Sequence, residues 1–424
     1  MGVNGLRKII SKHAPEVLEK KNFKDFNGTI QALDGVLALY KFCIATIDTP
    51  YSKVGHLFAC FFKTLSMLRY GIMPFWVFDG KPPEIKQMTL DERRRNKDIA
   101  HSKLSDDCLS HNDKKKLEKR TFTVTSKLVE EVIELLKLLG IPYVIAPGEA
   151  EAQCVALNKA KIAHGVVTED WDAILFGCKR MLKDFSNKNI NNVTEITTKK
   201  LLKKLDITHE QIIDLSSILG NDYCSGINGL KPLDAYYIFK ECKFNIYDFL
   251  GLLRSETNLK EYEQNHENEY YVHILSIRKK LGSMINKLQY SKIPNNFEEL
   301  AKTAKDYYLH APVIEPNEVQ VKWETPKYQE LYKFLLDKGF EEDLIKSKLN
   351  ELIMMHAYYK DNNKLVTLSK IKREKSINID TKIITYIYRN PELIVKPVES
   401  YMTNGDIHNI KTNDITGYEY RSVD

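Results

Sequence analysis

Seven acidic side chains are the residues of this chain whose types and positions best suit chemistry. They are Asp34, Asp79, Glu149, Glu151, Asp170, Asp172 and Asp222. Several carboxylates that meet at one place repel one another and are hard to keep ionised. Divalent cations relieve that repulsion, and oxygen-only ligands favour Mg²⁺ or Mn²⁺ over zinc. Two such ions, roughly 3.5–4 Å apart, are the usual arrangement for hydrolysing a phosphodiester.

Taken one at a time, these acids have another interpretation. An Asp that follows a strand is commonly the N-cap of the next helix or a turn residue. Two observations favour shared chemistry instead. The acids recur at four equivalent points, and two of these points carry acidic pairs, Glu149-x-Glu151 and Asp170-x-Asp172. The sequence contains no Ser-His-Asp, Cys-His or Walker A pattern that would compete, and we expect its isolated histidines to be structural.

The elements that must position the acids alternate between strand and helix. Four runs rich in β-branched and aromatic residues predict buried strands at residues 29–33, 74–78, 141–146 and 165–168. Apolar side chains at three-to-four spacing predict helices over 54–69 and 126–139, the second with Gly140 as its C-cap. This alternation predicts a mainly parallel sheet, which binds ligands beyond the carboxyl ends of its strands. The acids that follow these strands stand at that end.

Residues 84–125 differ from the rest of the chain. They are dense in charge, poor in large apolar side chains and rich in helix formers, so we expect a solvent-facing helical insertion. Basic runs lie within it at residues 93–97 and 114–120. Because a charge run is most often a solvated helix face, these runs alone are weak evidence for contact with nucleic acid.

Composition excludes several classes of protein. The chain has 424 residues, 43% of them hydrophobic, and a formal charge of +6, which suits a globular protein of two or three domains. Its seven cysteines are scattered and form no C-x-x-C pair, which argues against a disulfide framework or a cysteine-rich zinc site. We therefore expect a reducing compartment inside the cell. No apolar run reaches the roughly 18 residues of a membrane-spanning helix, so no membrane is expected as a partner.

Five short motifs make the chain resemble the flap endonucleases, within the wider family of 5′-nucleases of DNA repair. They occur in the family's order and spacing, at residues 1–6, 77–83, 148–152, 168–172 and 219–224. A weaker match at residues 316–323 extends the resemblance to about residue 350. The resemblance implies an α/β fold with a central, mostly parallel sheet flanked by helices. It also implies a helical arch and a helix-turn-helix element that binds DNA.

The resemblance further implies what the charged residues do. It assigns all seven acids either as direct ligands of two Mg²⁺ ions or as residues that hold water bound to those ions. Mn²⁺ is able to substitute for Mg²⁺. Lys86 and Arg93 become cations that reach from the arch to the scissile phosphate, where fixed positive charge acts as an electrophilic clamp.

Four other residues near the expected site have implied contacts with DNA. Gly2 lets the N-terminal backbone lie close to the acids. Arg94 and Arg95 belong to the basic run of the arch, which screens phosphates and makes binding fall with salt. Tyr40 is either a platform on which a base stacks or a half-buried core tyrosine, and both interpretations stay open.

The predicted helix-turn-helix element departs from the family pattern at one position. It joins a helix over about 209–219 to one near 235–239. The family has Gly-x-Gly-Pro in the turn, whereas this chain keeps Gly229 and has Lys231 in place of the second glycine. Both residues are expected to contact the DNA backbone. Lys231 argues against the K⁺ ion of the family's turn, since a small glycine is what allows backbone N–H groups to approach an ion.

The expected organisation divides the chain into four parts. Residues 1–100 form an N-terminal nuclease region with the start of the arch, and residues 101–250 an internal nuclease region with the arch end and the helix-turn-helix. Residues 251–353 form a divergent remainder of the nuclease core, and residues 354–424 a C-terminal extension. The extension lacks the family's sliding-clamp motif and its basic terminal run. We expect a monomer that binds branched or nicked duplex DNA with a 5′ flap and makes no clamp contact through that motif.

The function implied by the resemblance is that of a structure-specific 5′ flap endonuclease in DNA replication and repair. Its specificity would come from DNA shape and bending rather than from reading bases. A 5′–3′ exonuclease and a junction-cleaving relative stay open within the same family. From other classes, a ribonuclease of the same sheet architecture and a non-catalytic DNA-binding protein also stay open, although the intact acids argue against the last.

Overall fold

A computed structural model describes residues 2–47, 49–104, 110–185, 193–257, 268–288 and 292–374. The seventh cysteine, Cys108, and residues 375–424 of the C-terminal extension lie outside the described residues. The six described cysteines are free thiols. None of the helices in the described ranges combines the length and the apolar character that crossing a bilayer requires.

The described residues build one mixed seven-stranded sheet. Its strands are β1 (Glu19–Lys21), β2 (Ile30–Asp34), β3 (Met73–Phe78), β4 (Tyr143–Ile145), β5 (Gly165–Val167), β6 (Arg180–Lys183) and β7 (Val193–Thr197). Their order across the sheet is β1-β7-β6-β5-β2-β3-β4. The five strands from β6 to β4 run parallel, and β7 and β1 add antiparallel pairings at one edge. The expected central, mostly parallel sheet is confirmed, and β2 to β5 are the four strands that the apolar runs predicted.

Helices cover both faces of this sheet. In chain order they are α1 (Leu6–His13), α2 (Gly35–Thr46), α3 (Gly55–Arg69), α4 (Gln87–Leu104), α5 (His111–Thr121), α6 (Ser126–Leu139), α7 (Ala150–Lys159), α8 (Asp172–Leu175), α9 (Thr198–Leu205), α10 (His209–Leu219), α11 (Pro232–Glu241), α12 (Ile246–Thr257), α13 (Asn268–Leu281), α14 (Phe297–His310), α15 (Tyr328–Asp337), α16 (Glu342–Asn362) and α17 (Leu368–Glu374). The predicted helices at 54–69 and 126–139 are α3 and α6, and Gly140 caps α6 in the left-handed conformation.

Two apolar cores lie on opposite faces of the sheet because strand side chains alternate. In β3, Phe75 and Val77 enter one core, whereas Trp76 and Phe78 enter the other. The first core packs the sheet against α1, α7, α8 and α10 to α14. The second packs it against α3, α6, α15 and α16. Covering both faces explains why these parallel strands are continuous apolar runs in the sequence.

The charged insertion forms α4 and α5, which pack against each other as the predicted helical arch. The helix-turn-helix element is formed by α10 and α11 with the turn between them. Helices run across all three expected domain boundaries, since residues 100/101, 250/251 and 353/354 fall within α4, α12 and α16. The division into four parts therefore stays a prediction. Beyond residue 354 the fold continues, because Leu368 and Ile371 of α17 are buried in the second core.

Candidate active site

The carboxyl ends of the parallel strands place the first two acids. Asp34 is the last residue of β2 and the N-cap of α2, where its Oδ1 accepts a hydrogen bond from the Leu37 backbone N–H at 3.0 Å. Asp79 follows β3, and its Oδ1 accepts from the backbone N–H of Ala150 at 2.8 Å. The capping interpretation is thus correct for Asp34. The cap uses only Oδ1, and Asp34 Oδ2 accepts a hydrogen bond from the hydroxyl of Thr168 at 3.2 Å.

The remaining five acids lie near the ends of three helices, at the N-termini of α7 and α8 and just after the C-terminus of α10. Glu149 is the N-cap residue of α7, and Glu151 lies in the first turn of that helix. Asp170 and Asp172 follow β5, and the Asp172 backbone N–H donates to Asp170 Oδ1 at 3.1 Å. Asp222 lies in the turn after α10. Because β2 to β5 are parallel, the acids that follow these strands share one edge of the sheet. Asp222 is linked to them through Lys86, which lies beside both Glu149 and Asp222.

A cavity of about 1360 Å³ joins the acids to the arch. Five of the seven predicted acids lie in its wall, namely Asp34, Asp79, Glu151, Asp170 and Asp222, and Asp91 and Asp98 of α4 line it as well. The basic and aromatic residues in its wall include Tyr40, Lys86, Arg93, Arg94, Lys97, Lys103 and Arg120. The other two acids are tied to this wall, Glu149 through Lys86 and Asp172 through Asp170. The structure therefore brings all seven predicted acids together beneath the insertion.

Burial and mutual repulsion raise the pKa of five acids. The pKa of Asp34 is raised to about 7, first by burial and then by the charge of Asp79. Burial, followed by nearby carboxylates, raises the pKa of Glu151 and Asp172 well above the usual range. The pKa values of Asp79 and Asp170 are raised by burial as well. Negative charge is therefore disfavoured at these five positions unless a cation is close.

Two cations of the insertion lie beside the other two acids. Lys86 Nζ donates to Glu149 Oε1 and lies 3.2 Å from Asp222 Oδ2. Arg93 Nη2 lies 2.6 Å from Asp222 Oδ1. Burial opposes the charge of Lys86, but Glu149 and Asp222 outweigh it and raise the pKa of Lys86 above its ordinary value. Lys86 thus stays charged at the acidic edge.

Gly2 brings the N-terminal backbone against two of the acids. Its φ is +77°, and a Cβ built on it would overlap Oδ1 of both Asp170 and Asp172. The nearby Asn4 backbone N–H donates to the carbonyl of Gly220 at 2.9 Å, which holds this segment beside the turn that carries Asp222. Glycine is required here both by the backbone conformation and by the space.

The donor set fits hard divalent cations, because every donor is an oxygen. Asp172 Oδ1 is buried and has no hydrogen-bond partner, so it is available to a ligand. As the side chains stand, no three His, Cys, Asp or Glu residues within the described ranges are arranged to hold one ion. Lys86 instead bridges Glu149 and Asp222. The assignment of the seven acids as metal ligands stays a prediction.

The arginines of the basic run differ in where they lie. Arg93 and Arg94 line the cavity, whereas Arg95 is exposed and its Nε donates to the Asp91 carbonyl of its own helix at 3.4 Å. Residues two apart on a helix lie on nearly opposite faces, so Arg93 and Arg95 cannot face the same cavity. A contact between Arg95 and DNA would have to form on the outer face of α4.

Tyr40 lies half-buried in the wall of the cavity rather than in either core. Its hydroxyl donates to the Lys119 carbonyl at 3.3 Å, and its ring centroid lies 6.1 Å from that of Phe122. Tyr40 therefore joins α2 to the end of the arch and lines the cavity.

The helix-turn-helix residues lie away from this cavity. Gly229 is exposed and has a φ of +85°, and Lys231 is exposed just before α11. Neither residue lines the cavity. Their contacts with DNA stay predictions, as does the expectation that Lys231 argues against a K⁺ ion at this turn.

Two tyrosines that contact the acids were not predicted. Tyr223 donates its hydroxyl to Glu149 Oε2, and Tyr308 of α14 donates to Asp172 Oδ2 at 3.1 Å. Tyr223 follows Asp222 inside a recognised motif, so its position was a usable signal. Tyr308 lies in a helix that carries no motif, 136 residues from its partner, and no sequence pattern indicates the contact.

Comparisons with known proteins agree with this geometry. Residues 1–100 match the XPG N-terminal domain, and residues 140–222 match the XPG I-region. All seven acids lie inside these two matched ranges. Flap endonuclease 1 of Lachancea thermotolerans is 34% identical over 363 residues, which cover 83% of this chain and 86% of that protein.

Two solved structures share the fold over most of its length. The catalytic core of Rad2 in complex with DNA substrate is 25% identical, with a TM-score of 0.63 over 83% of this chain and 100% of that one. The flap endonuclease-1 from Methanococcus jannaschii is 25% identical, with a TM-score of 0.54 over 81% of this chain and 98% of that one. Given the sheet, the arch, the acidic edge and these relatives, the chain belongs to the flap endonuclease family of XPG-type nucleases.

Proposed function

We propose that the chain is a structure-specific 5′ flap endonuclease, which hydrolyses a DNA phosphodiester where single strand meets double strand. The observation that carries the proposal is the single cavity that joins a buried acidic edge to a basic helical arch. Relatives that match most of the chain are flap endonucleases, and the Rad2 core was solved with a DNA substrate. The six free cysteines suit a reducing environment such as the inside of a cell.

The cavity offers a route for one strand of DNA. Five basic side chains line it on the arch side: Arg93, Arg94, Lys97, Lys103 and Arg120. Basic side chains that neutralise phosphates bind the backbone without regard to sequence, and this binding weakens as salt rises. Tyr40 stands in the same wall, where a base of the strand would stack on its ring. Both features suit recognition of a single strand by shape.

The acids supply the place for divalent ions and the cations supply the clamp. Two Mg²⁺ or Mn²⁺ ions, held by the seven acids directly or through water, would stabilise the charge on the attacking and leaving oxygens. Lys86 and Arg93 reach the same cavity and would bind the scissile phosphate. Their fixed charge stabilises the negative charge that develops there as the bond to the leaving oxygen breaks.

A cleavage assay over several DNA structures tests this function. We expect labelled 5′-flap DNA to be cut near its junction in Mg²⁺ or Mn²⁺, with cutting abolished by EDTA and absent on an RNA flap. Nicked, gapped and four-way substrates run beside it separate flap cutting from exonuclease action and from junction cleavage. Preference for a four-way junction or for blunt 5′ ends over flaps would contradict the proposal.

Substitution of one acid ties the activity to the site. We expect Asp170→Ser to keep its affinity for flap DNA but to lose at least the roughly 10²–10³-fold in rate that removal of one charge-stabilising group costs. Asp337→Ser is the control, since Asp337 is exposed at the end of α15. Cleavage at the normal rate by Asp170→Ser would show that the acidic edge is not the catalytic centre.

A further inference from the structure

A tyrosine of α14 contacts the acidic edge from outside the two ranges that match the family models. Tyr308 is 2% exposed, and its hydroxyl donates to Asp172 Oδ2 at 3.1 Å. Asp172 is itself buried, and its second oxygen, Oδ1, has no hydrogen-bond partner. One oxygen of the carboxylate is therefore held by the phenol and the other is left for a ligand.

The ring of Tyr308 is fixed on two sides. Its centroid lies 5.0 Å from that of Phe176 and 4.9 Å from that of Tyr223, both in edge-on geometry. One helical turn before it, Lys305 Nζ lies 3.0 Å from Asp214 Oδ2 and 3.2 Å from Glu210 Oε2, which ties α14 to α10. A ring held in this way has little freedom to move its hydroxyl away from Asp172.

The direction of this hydrogen bond follows from the chemistry of the two groups, because a phenol O–H donates and a carboxylate oxygen accepts. The hydrogen bond sets the rotation of the Asp172 carboxylate, so that Oδ1 lies beside Oδ1 of Asp170, where both atoms flank the position of a Cβ on Gly2. Two carboxylate oxygens then face one small space.

We propose that Tyr308 is a positioning residue that holds Asp172 with Oδ1 turned toward a divalent ion. This inference rests on the proposed function, because it assigns Asp172 to the metal site of that reaction. Groups that hydrogen bond to a metal ligand orient it, and their loss typically weakens metal binding by roughly 10–100-fold. Tyr308 acts through Asp172 and does not touch the substrate.

The neighbouring residue provides a matched control. Tyr307 packs its ring against the same two side chains, with centroids 4.9 Å from Tyr223 and 6.1 Å from Phe176. Its hydroxyl is buried but has no hydrogen-bond partner. Tyr307→Phe and Tyr308→Phe therefore remove the same atom from adjacent positions of one helix, and only the second removes a bond to an acid.

Binding of Mn²⁺ to the full chain without DNA, followed by the electron paramagnetic resonance signal of free Mn²⁺, tests the inference. We expect Tyr308→Phe to raise the Kd for Mn²⁺ roughly tenfold, and to raise the Mg²⁺ concentration for half-maximal flap cleavage by a similar factor. Tyr307→Phe should match the wild type in both. Thermal melting of each variant checks that it is folded.

Four outcomes would contradict the positioning role of Tyr308, the proposed function, or both. A Kd for Tyr308→Phe within about twofold of the wild type, or equal weakening in both variants, overturns the positioning role, because the effect expected of an orienting hydrogen bond is larger and specific. Wild-type protein that binds Mn²⁺ but never cuts a flap overturns the proposed function and leaves the positioning role to the binding data. Wild-type protein that binds no Mn²⁺ overturns both.

Discussion

In one half of the acidic cluster, Glu149 and Asp222 lie beside Lys86 and Arg93 of the insertion. We call these two acids the paired half. The other half, which we call the bare half, contains Asp34, Asp79, Glu151, Asp170 and Asp172. Within the described ranges none of these five forms an ion pair with a Lys, Arg or His side chain. All five have a raised pKa.

The difference in ion pairing between the two halves indicates which acids need an added cation. Burial of a charge is costly unless a partner compensates it, and the paired half has its partners within the chain. The bare half has hydrogen-bond donors, and the charge of Lys86 lowers the pKa of Asp79, Asp170 and Asp172 without offsetting their burial. Uptake of protons or of external cations is therefore favoured there. The arch therefore supplies charge to one side of the site, and the other side is where we propose that divalent ions bind.

The largest expected effect comes from removing the cation of the paired half. Lys86→Met leaves Glu149 without a cation and removes one of the two beside Asp222. We expect flap cleavage to fall roughly 10²–10³-fold, because a fixed charge at the scissile phosphate is lost. The Kd for Mn²⁺ in the absence of DNA should stay the same or decrease, since Glu149 loses its cation and Asp222 keeps only Arg93.

Single-turnover cleavage and Mn²⁺ binding on the same preparation check this prediction. Lys81→Met is the control, because Lys81 is exposed five residues earlier and forms no ion pair in the described part of the chain. If Lys86→Met cleaves at the normal rate, Lys86 is only a counter-charge of the paired half. If it also loses Mn²⁺ binding, the two halves are not independent.

The strands that carry the bare half were predictable from sequence. The strands β1 and β7, at the lateral edge of the sheet, were not. The strands β2, β3 and β5 are buried on both faces, so each is a run of apolar residues that ends at an acid. The strand β1 is Glu-Lys-Lys, and β7 is Val-Thr-Glu-Ile-Thr, which has no regular alternation of polar and apolar residues. The strand β1 exists because it pairs with β7, far along the chain, which local composition does not indicate.

Within the site, the sequence predicted which acidic and basic residues lie near one another, but it did not predict which way their side chains face. The spacing of the acids predicted their convergence, because parallel strands present their carboxyl ends at one edge. The sequence treated Arg94 and Arg95 alike, and only the helix of the arch distinguishes Arg94, which lines the cavity, from Arg95, which does not. The contact of Tyr308 depends on how α14 packs against α10, which is a tertiary arrangement with no local signal.

A smaller effect is expected from Gly2, whose backbone lies against the bare half. Gly2→Ala places a methyl group between the carboxylates of Asp170 and Asp172, and forces a residue with φ of +77° into a strained conformation. We expect Mn²⁺ binding to weaken roughly tenfold, as when another oriented ligand is disturbed.

Gly28→Ala is the control that separates backbone strain at positive φ from the steric overlap of the new methyl group with the carboxylates. Gly28 has nearly the same φ, +76°, but a Cβ there meets only the Leu365 carbonyl at 3.9 Å. Both variants should lose about 1 kcal/mol of stability in chemical denaturation, since a residue with a side chain is strained at positive φ. Only Gly2→Ala should lose affinity for Mn²⁺. Equal affinity in the two variants would mean that the N-terminal backbone does not shape the bare half.

The smallest expected effect is the pH dependence of stability without metal. Burial raises the pKa of Asp34 to about 7, whereas an Asp in the unfolded chain has a pKa near 3.9. Between these values the folded state binds a proton that the unfolded state has released. The free energy of unfolding therefore falls as pH rises through this window, and the other four acids of the bare half act in the same direction.

Melting temperatures from about pH 5 to pH 8, in EDTA and in Mg²⁺, measure this dependence. In EDTA we expect the melting temperature to fall by a few degrees toward the higher pH, and Asp34→Asn to reduce the slope, because its amide does not titrate. Mg²⁺ should flatten the slope, since ions take the place of the protons as the carboxylates ionise. A melting temperature in EDTA that rises over this range, and does so equally in Asp34→Asn, would mean that the five acids are ionised in the folded chain without a cation. The paired half would then have no electrostatic advantage over the bare one.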